Sequence, residues 1–244
     1  MILEICANSY QSAINAEKAG AQRIELCTEL DVGGLTPSYD VLNKVINKLN
    51  IPVFVLIRPR SGNFVYSDAE FDSMKLDIEL YKKLGCHGIV SGVLNNDDTI
   101  DIERTKELAE LSKPLPFTFH RAFDCIENPS KAIETLIQLG VARVLTSGQA
   151  TSAKKGIDLL KKLQKLCKGG LIIMPGKGIN SDNALLFKKE GFKEIHSSAS
   201  KIVQLTKTPK LSMNSSTFLD EQSYSYSSKT SIRDILKNIS NESI

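Results

Sequence analysis

The sequence predicts a single (β/α)8 barrel on three observations: a fourfold repeat, eight short strand patterns and a length of 244 residues. In each copy of the repeat, a helix pattern ends at a glycine and a β-branched strand follows within a few residues. Glycine is a common helix end because it enters the left-handed conformation without a Cβ clash. Successive glycines are separated by about two strand–helix units of roughly 30 residues each. The four glycines are Gly20, Gly85, Gly140 and Gly191.

The strands follow in order from the start of the chain. The first is predicted at 2–6, and one strand follows each repeat glycine. Three more fill the gaps at 52–58, 116–121 and 171–175. Residues 54–57 are apolar throughout, as expected of a strand that helices cover on both faces. A doubly wound open sheet is the main alternative, but eight strands without a glycine-rich dinucleotide fingerprint favour the barrel.

Eight helix patterns separate the strands, each with apolar residues at three- and four-residue spacing. They are predicted at 9–19, 38–49, 68–84, 101–112, 128–139, 152–167, 181–190 and 231–239. A small polar residue before a helix can accept a backbone N–H of the first turn and so cap it. The candidate caps are Ser38, Ser67, Asn128, Ser152, and Asn180 or Ser181.

Residues 204–230 depart from this pattern. They are rich in Ser, Thr, Lys and Asn and show little periodicity. We therefore predict one domain, 1–244, with a long irregular connection between the last strand and the last helix. Such connections are usually functional or disordered, so a lid over the barrel mouth and a solvated excursion are both open.

Composition excludes several classes of protein. The chain is 41% hydrophobic and 24% charged with a net charge of +3, and it has no basic stripe, which argues against nucleic-acid binding. No apolar run reaches membrane-spanning length and no signal-peptide pattern precedes the first strand. Five cysteines do not form a disulfide framework, and reduced thiols suit the cytosol. We expect a cytoplasmic protein without nucleic-acid or membrane partners.

Reactive side chains concentrate where the predicted strands end. In this fold the carboxyl ends of the strands form the working face. Random strand ends would be mostly apolar or turn residues, so the concentration indicates a binding or catalytic site. The residues are Glu4, Cys6, Glu25, Cys27, Arg58, Arg60, His120, Arg121, Asp124, Ser147, Gly176, Gly178, His196, Ser197 and Ser198.

Cys6 and Cys27 lie at matching positions of neighbouring strands, which are about 4.8 Å apart in a sheet. Two thiols at this distance could bind a soft cation such as Cu(I), form a redox disulfide, or simply fill the core. Glu4 and Glu25 each precede a cysteine by two residues and therefore share its face. If that face is the interior, two carboxylates lie one layer below two thiols.

Arginines and histidines supply the remaining chemistry. Arg58 and Arg60 end an apolar strand, where they could bind a carboxylate or phosphate or neutralise a nearby glutamate. His120, with Asp124 four residues on, could be a general acid or base with an orienting carboxylate. His196 ends the last strand of the barrel. His87 precedes its strand and is read as a surface residue.

Loops after the seventh and eighth strands of such barrels often bind phosphate through backbone N–H groups. Here these loops contain Gly176, Gly178, Ser197 and Ser198. Ser147 and Gly148, after the sixth strand, could add a hydroxyl and an N–H. Ordinary tight turns are the alternative explanation of these residues.

Seven motifs occur in the order found in the CutC family, which the chain therefore resembles. The resemblance runs from residue 2 to about 200 and implies a cytosolic (β/α)8 barrel, assembled as a homodimer or homotetramer and linked to copper homeostasis. In animal members the thiols matching Cys6 and Cys27 are suggested Cu(I) ligands. The motifs are 4–6, 20–27, 33–38, 57–64, 117–124, 143–148 and 196–199.

The chain departs from the family pattern at two places. Ser61-Gly62 replaces the Gly-Gly that usually follows Pro-Arg. An Arg-Asn pair usual after the last strand is absent from 208–214, which removes one possible anion contact.

Two functional hypotheses follow. The first is a copper homeostasis protein that binds Cu(I) through Cys6 and Cys27. The second is an enzyme that acts on a small anionic or phosphorylated metabolite, with Glu25, His120 and Asp124 as catalytic groups. Its anion would be held by Arg58, Arg60, Arg121, Ser147, Gly148, Gly176, Gly178, His196, Ser197 and Ser198.

Overall fold

Eight parallel strands form a nearly closed barrel and confirm the predicted fold. The computed structural model describes residues 1–207, 211 and 222–240. The strands are β1 Ile2–Ala7, β2 Arg23–Leu26, β3 Val53–Leu56, β4 Gly88–Ser91, β5 Phe117–Phe119, β6 Arg143–Thr146, β7 Ile172–Pro175 and β8 Glu194–Ser197. They are hydrogen-bonded in the order β7-β6-β5-β4-β3-β2-β1-β8. The two ends of this ladder, β7 and β8, pack against each other.

Eight helices surround the barrel, and all four repeat glycines have positive φ, as their role in ending helices predicts. The helices are α1 Tyr10–Ala19, α2 Tyr39–Ile46, α3 Asp68–Leu84, α4 Ile102–Ser112, α5 Pro129–Gln138, α6 Ile157–Cys167, α7 Ser181–Lys189 and α8 Lys229–Ser240. Within the described part of the chain, none is both long and apolar enough to cross a bilayer.

Four predicted caps are confirmed and one is wrong. Ser38, Ser67, Asn128 and Asn180 each accept a backbone N–H in the first turn of their helix. Ser152 instead accepts the Lys155 N–H at 3.3 Å in a separate turn, and α6 begins five residues later than predicted, after Gly156. The residues before α6 are held by neighbouring loops: the Ala153 N–H donates to the Lys177 carbonyl at 3.0 Å, and Gly156 packs so closely on Ser147 that a Cβ would overlap its carbonyl oxygen.

The described ends of the connection after β8 contain two strands that the sequence pattern did not predict. Ser200–Gln204 and Ser223–Ser227 form an antiparallel pair, β9 and β10. Asn15 Nδ2 donates to the Ser227 carbonyl at 3.0 Å, which anchors β10 to α1. The missing Arg-Asn pair falls almost entirely at 208–210 and 212–214, outside the described residues.

The barrel interior is polar near its floor, unlike the branched apolar filling usual in this fold. The even-numbered strands β2, β4, β6 and β8 each contribute one inward-facing residue to a single layer, as strand alternation requires. In each strand this is the residue three positions after the repeat glycine. These residues are Arg23, Gly88, Arg143 and Glu194. The odd strands contribute the layer above it, Glu4, Phe54, Thr118 and Met174.

Two guanidinium groups cross this interior. Arg23 is paired with both Glu4 and Glu194, and Arg143 Nε donates to Glu194 at 3.2 Å. Both guanidinium carbons lie over the Phe54 ring, at 4.7 and 4.9 Å from its centroid. The two arginines and two glutamates balance in charge, which is what allows them to be buried.

The strand register corrects one expectation. Cys6 is opposite Glu25, and Glu4 is opposite Arg23, so the two cysteines are not at matching positions. Cys27 follows β2, one residue beyond Leu26, and donates its N–H to the Ala7 carbonyl at 3.0 Å. The thiols therefore meet diagonally across the stagger between strands.

We expect Gly156→Ala to lower the free energy of unfolding by about 2 kcal/mol or more, since the new methyl group would displace the backbone of Ser147 and Gly148. Gly170→Ala is the matched control, because its Cβ would approach no atom closer than 3.5 Å. Urea denaturation of both variants measures the difference. Equal midpoints for Gly156→Ala and wild type would show that the loop moves freely.

Candidate metal and ligand site

A cavity of about 480 Å³ opens at the carboxyl end of the barrel. Its walls combine thiol, carboxylate, imidazole and guanidinium groups with apolar side chains, so most of the predicted working face does converge. The lining residues are Cys6, Glu25, Leu30, Val32, Gly33, Leu56, Arg58, Phe64, His120, Arg121, Leu145, Lys177, Gly178, Ile179, His196, Ser197 and Ser198.

Cys6 and Cys27 form a thiol pair at the base of this cavity. Their sulfur atoms are 3.5 Å apart, and both side chains are buried among Phe54, Leu56 and Val90. Cys6 faces the cavity, whereas Cys27 lies behind it. The hydrogen bond with Cys27, together with burial, raises the pKa of the Cys6 thiol well above its ordinary value. Cys6 is therefore a neutral thiol at physiological pH.

His196 reaches the thiol pair from β8. Its Nδ1 atom lies 2.8 Å from Oε1 of Glu4, so the carboxylate fixes the orientation of the ring. Nε2 is the ring nitrogen that Glu4 does not contact. Burial alone would lower the pKa of His196, but hydrogen bonds with Cys6 and Glu4 raise it well above its ordinary value. Gly176 packs beside this ring, and a Cβ there would lie 2.5 Å from Leu145 Cδ1 but only in ordinary contact with His196, at 3.5 Å.

Glu4 and Glu25 differ in protonation because their neighbours differ. Burial favours the neutral acid at both positions. For Glu4, the charge of Arg23 and the bond with His196 outweigh burial and lower the pKa to about 2. Glu25 forms no ion pair with any described residue, so burial, aided by the negative charge of Glu4, outweighs the charges of His196 and Arg23 and raises the Glu25 pKa to about 7. Its Oε2 atom is buried without a hydrogen bond to any described residue.

Three potential metal ligands meet beside the thiol pair. Atoms of Cys6, Glu25 and His196 lie within 4.8 Å of one another, and all three residues are buried. Thiolate and imidazole favour soft or borderline transition metals over Mg²⁺ or Ca²⁺. With Cys27 in contact with Cys6, the cluster offers two sulfurs, one nitrogen and one carboxylate.

His120 and Arg58 form another part of the wall. The Ala122 N–H donates to His120 Nδ1 at 3.2 Å, so the neutral ring carries its proton on Nε2. Burial and the positive charge of Arg58 lower the pKa of His120 to about 3. The predicted orienting contact with Asp124 is therefore not formed.

Asp124 is engaged elsewhere and does not line the cavity. Its carboxylate accepts from the Thr146 hydroxyl at 2.5 Å, from backbone N–H groups of Ser147 and Gln149, and from Arg121 Nε at 2.9 Å. It thus organises the loop after β6. We assign Asp124 a positioning contact with Arg121, which does line the cavity.

Several other predicted anion ligands are used internally. Arg60 is paired with Glu70 at 2.6 Å and stands outside the cavity wall. Ser147, Gly148 and Gly176 donate their backbone N–H groups to Asp124, the Thr146 hydroxyl and the Thr146 carbonyl. Gly178, Ser197 and Ser198 remain in the wall, although the Ser197 hydroxyl donates to the Ile179 carbonyl at 2.7 Å.

The sequence reasoning missed the ion network beneath the site. Arg23, Arg143 and Glu194 begin their strands, so a search of strand ends passes over them. The signal that could have found them is positional, because all three stand three residues after a repeat glycine. It also missed Lys177 at the rim of the cavity. His87 is exposed, as predicted.

The fold and the site together define a (β/α)8-barrel protein with a buried cysteine–histidine–glutamate cluster at the mouth of the barrel. A model of the CutC family matches residues 1–201. The chain belongs to the CutC family.

Relatives support this assignment across kingdoms. A human protein named copper homeostasis protein cutC homolog is 49% identical over 199 residues, which span 81% of this chain and 73% of that protein. A CutC family protein of Proteus mirabilis is also 49% identical, over 82% of this chain and 79% of its own.

Solved structures agree with the fold. A CutC protein from Streptococcus agalactiae superposes with a TM-score of 0.77 at 34% identity, covering 81% of this chain and 98% of that protein. An aldolase designated QR15 superposes with a TM-score of 0.61 at 13% identity, over 82% of this chain and 90% of that chain. This second likeness shows the barrel fold alone.

The raised pKa of Glu25 should make the free energy of unfolding decrease as the pH rises. Its carboxyl has an ordinary pKa of 4.5 and a pKa of about 7 in the folded protein, so the folded state holds the proton more tightly. Glu25 therefore contributes up to about 3 kcal/mol to the free energy of unfolding. This contribution is complete below about pH 4.5 and is lost by about pH 7.

We therefore expect Glu25→Gln to flatten the decline in the free energy of unfolding over this pH range, measured by urea denaturation. Glu134→Gln, at an exposed site on α5, should keep the wild-type slope. The raised His196 pKa gives a slope of the same sign, but only above its ordinary value of 6.5, so the range from pH 4.5 to 6.5 isolates Glu25. An unchanged slope in Glu25→Gln would contradict the assignment.

Proposed function

We propose that this protein binds Cu(I) through Cys6 and Cys27, with His196 as a third ligand. The observation that carries the proposal is the 3.5 Å contact between two buried thiols at the base of an open cavity. Thiolates are the ligands that select Cu(I) most strongly among protein side chains, and imidazole is compatible with copper. The donor set therefore fits the metal.

The surroundings of His196 favour a metal ligand. A histidine that ligates a metal usually bonds its other ring nitrogen to a carboxylate, which fixes the ring and makes it a better ligand. Glu4 makes this contact with Nδ1 of His196 at 2.8 Å, and Arg23 in turn holds Glu4. Nε2 would then be the ligating atom.

Glu25 can accept a proton when the metal binds. Metal binding through all three ligands requires both thiolates and a neutral imidazole, so Cys27 and His196 Nε2 must release protons to solvent and the Cys6 proton must also leave. Glu25 Oε1 lies 4.0 Å from the Cys6 sulfur and is the nearest carboxylate oxygen to it. A pKa of about 7 suits Glu25 to accept this proton near neutrality. Deep burial of Cys27 would shield the bound ion from dioxygen and glutathione.

The names of relatives agree with this proposal. The human and mouse relatives are called copper homeostasis protein cutC homologs. A cytoplasmic location and a homodimeric or homotetrameric assembly, expected from the family resemblance, stay predictions.

Replacing both thiols should abolish tight Cu(I) binding. We expect the Cys6→Ser, Cys27→Ser double variant to lose the site, whereas Cys86→Ser, a buried cysteine just before β4, binds as wild type. Anaerobic titration against a chromogenic Cu(I) chelator measures both. The proposal fails if the double variant competes for copper as well as wild-type protein does.

Removing the imidazole should leave a weaker two-sulfur site. We expect His196→Gln to reduce Cu(I) affinity at least about tenfold, because ligand geometry and number both change. Copper X-ray absorption should show two sulfurs and one nitrogen in wild type and only the sulfurs in the variant. The same spectrum for both proteins would remove His196 from the proposed ligand set; His87→Gln serves as the matched control.

A further inference from the structure

The cavity has a second set of polar groups that the thiol pair does not use. Of the side chains in the described part of the chain, five have a buried polar atom without a hydrogen-bond partner. Three of them line this cavity: His120 Nε2, Arg58 Nε and Glu25 Oε2. Buried polar groups are nearly always paired, so this concentration indicates a missing ligand.

His120 is held so that it cannot turn toward another partner. Its Nδ1 accepts from the Ala122 N–H, and the same edge of the ring packs on Gly92, where a Cβ would lie 2.6 Å from Nδ1. The Phe64 ring covers it at 4.9 Å. His120 is only 5% exposed. Its Nε2–H is thus a fixed donor beside the cavity.

Arg58 is equally fixed. Its terminal nitrogens donate to the carbonyls of Val32, Gly34 and Gly62 at 2.8, 2.9 and 3.0 Å. These bonds join the loops after β2 and β3 but leave Nε without a partner. Burial raises the pKa of the neighbouring Tyr66 hydroxyl to about 12, and the charge of Arg58 and a side-chain contact with Arg58 oppose that rise. This contact falls outside hydrogen-bond geometry, so neither the Tyr66 hydroxyl nor Arg58 Nε is paired with a described residue. Arg58 is 5% exposed.

The rest of the cavity selects an organic anion. Arg121 and Lys177 add positive charge to the wall. Apolar side chains cover much of the remainder, and an inorganic ion would leave them wet. They are Leu30, Val32, Leu56, Phe64, Leu145 and Ile179. A phosphate is disfavoured because Ser147, Gly148 and Gly176 already spend their backbone N–H groups inside the protein.

We propose that this cavity binds a small hydroxy acid. Its carboxylate accepts hydrogen bonds from His120 Nε2 and Arg58, its hydroxyl pairs with Glu25 Oε2, and its carbon skeleton packs on the apolar wall. A hydroxyl fits Glu25 in either protonation state because it can donate or accept. This site requires no copper, and it adjoins the thiol site through Glu25.

Three matched probes test the ligand chemistry: mandelate, phenylacetate, which lacks the hydroxyl, and phenylethanediol, which lacks the carboxylate. Lactate serves as a smaller hydroxy acid. We expect calorimetry or ligand-observed NMR on reduced, copper-free protein to give mandelate or lactate a dissociation constant of about 1 mM or tighter. Phenylacetate and the diol should bind about tenfold more weakly than mandelate.

Variants of His120 test the assigned donor. His120→Leu, with folding checked by circular dichroism, should weaken binding about tenfold. His120→Gln keeps an N–H donor and should recover much of the affinity, and His87→Leu, at the other end of the barrel, should bind as wild type. No binding of either hydroxy acid would overturn the proposal. Equal binding of mandelate and the diol, or wild-type affinity in His120→Leu, would do the same.

Discussion

The site depends on one buried guanidinium. Arg23, on β2, lies across the barrel interior between Glu4 on the adjacent strand β1 and Glu194 on β8, the next strand beyond β1. Because Arg23 keeps Glu4 ionised, Glu4 can hold the His196 ring, and His196 can face Cys6. Without Arg23, Glu4 would lose its main counter-charge and Glu194 would be paired with Arg143 alone, and a buried carboxylate that is poorly compensated is costly. The groups at the mouth of the barrel are therefore oriented by residues two layers below them.

Such a network is a poor source of stability. Desolvation of buried ion pairs often cancels their Coulombic attraction, and apolar residues of similar volume would pack as well. Its benefit here is positional: it sets the direction of an imidazole and separates the protonation of two glutamates. The barrel accepts polar residues in its interior so that the groups at its mouth have fixed orientations.

The mouth has two halves that are held in different ways. The half with Cys6 and His196 is supported from below by the ion network. The half with His120 and Arg58 is supported from the side, by backbone N–H and carbonyl groups of the loops. Glu25 lies between the Cys6 thiol and the groups proposed to bind the hydroxy acid, so a metal ion and an organic anion would share it. This arrangement accounts for an arginine and a second histidine that Cu(I) binding alone does not require.

The fold followed from the sequence because local rules decide it: glycines end helices, small polar residues cap them, and strand alternation directs side chains inward. The same rules brought Cys6, Glu25, His120 and His196 to one end of the barrel. They could not foresee the diagonal contact of Cys6 with Cys27, because strand stagger depends on closure of the whole ring. Nor could they show that Asp124 accepts hydrogen bonds from the loop after β6 and not from His120. Packing alone decides which of these two possible partners the carboxylate contacts. Composition and spacing fixed which groups could meet, whereas the tertiary structure decided which of them are already satisfied and which remain free for a ligand.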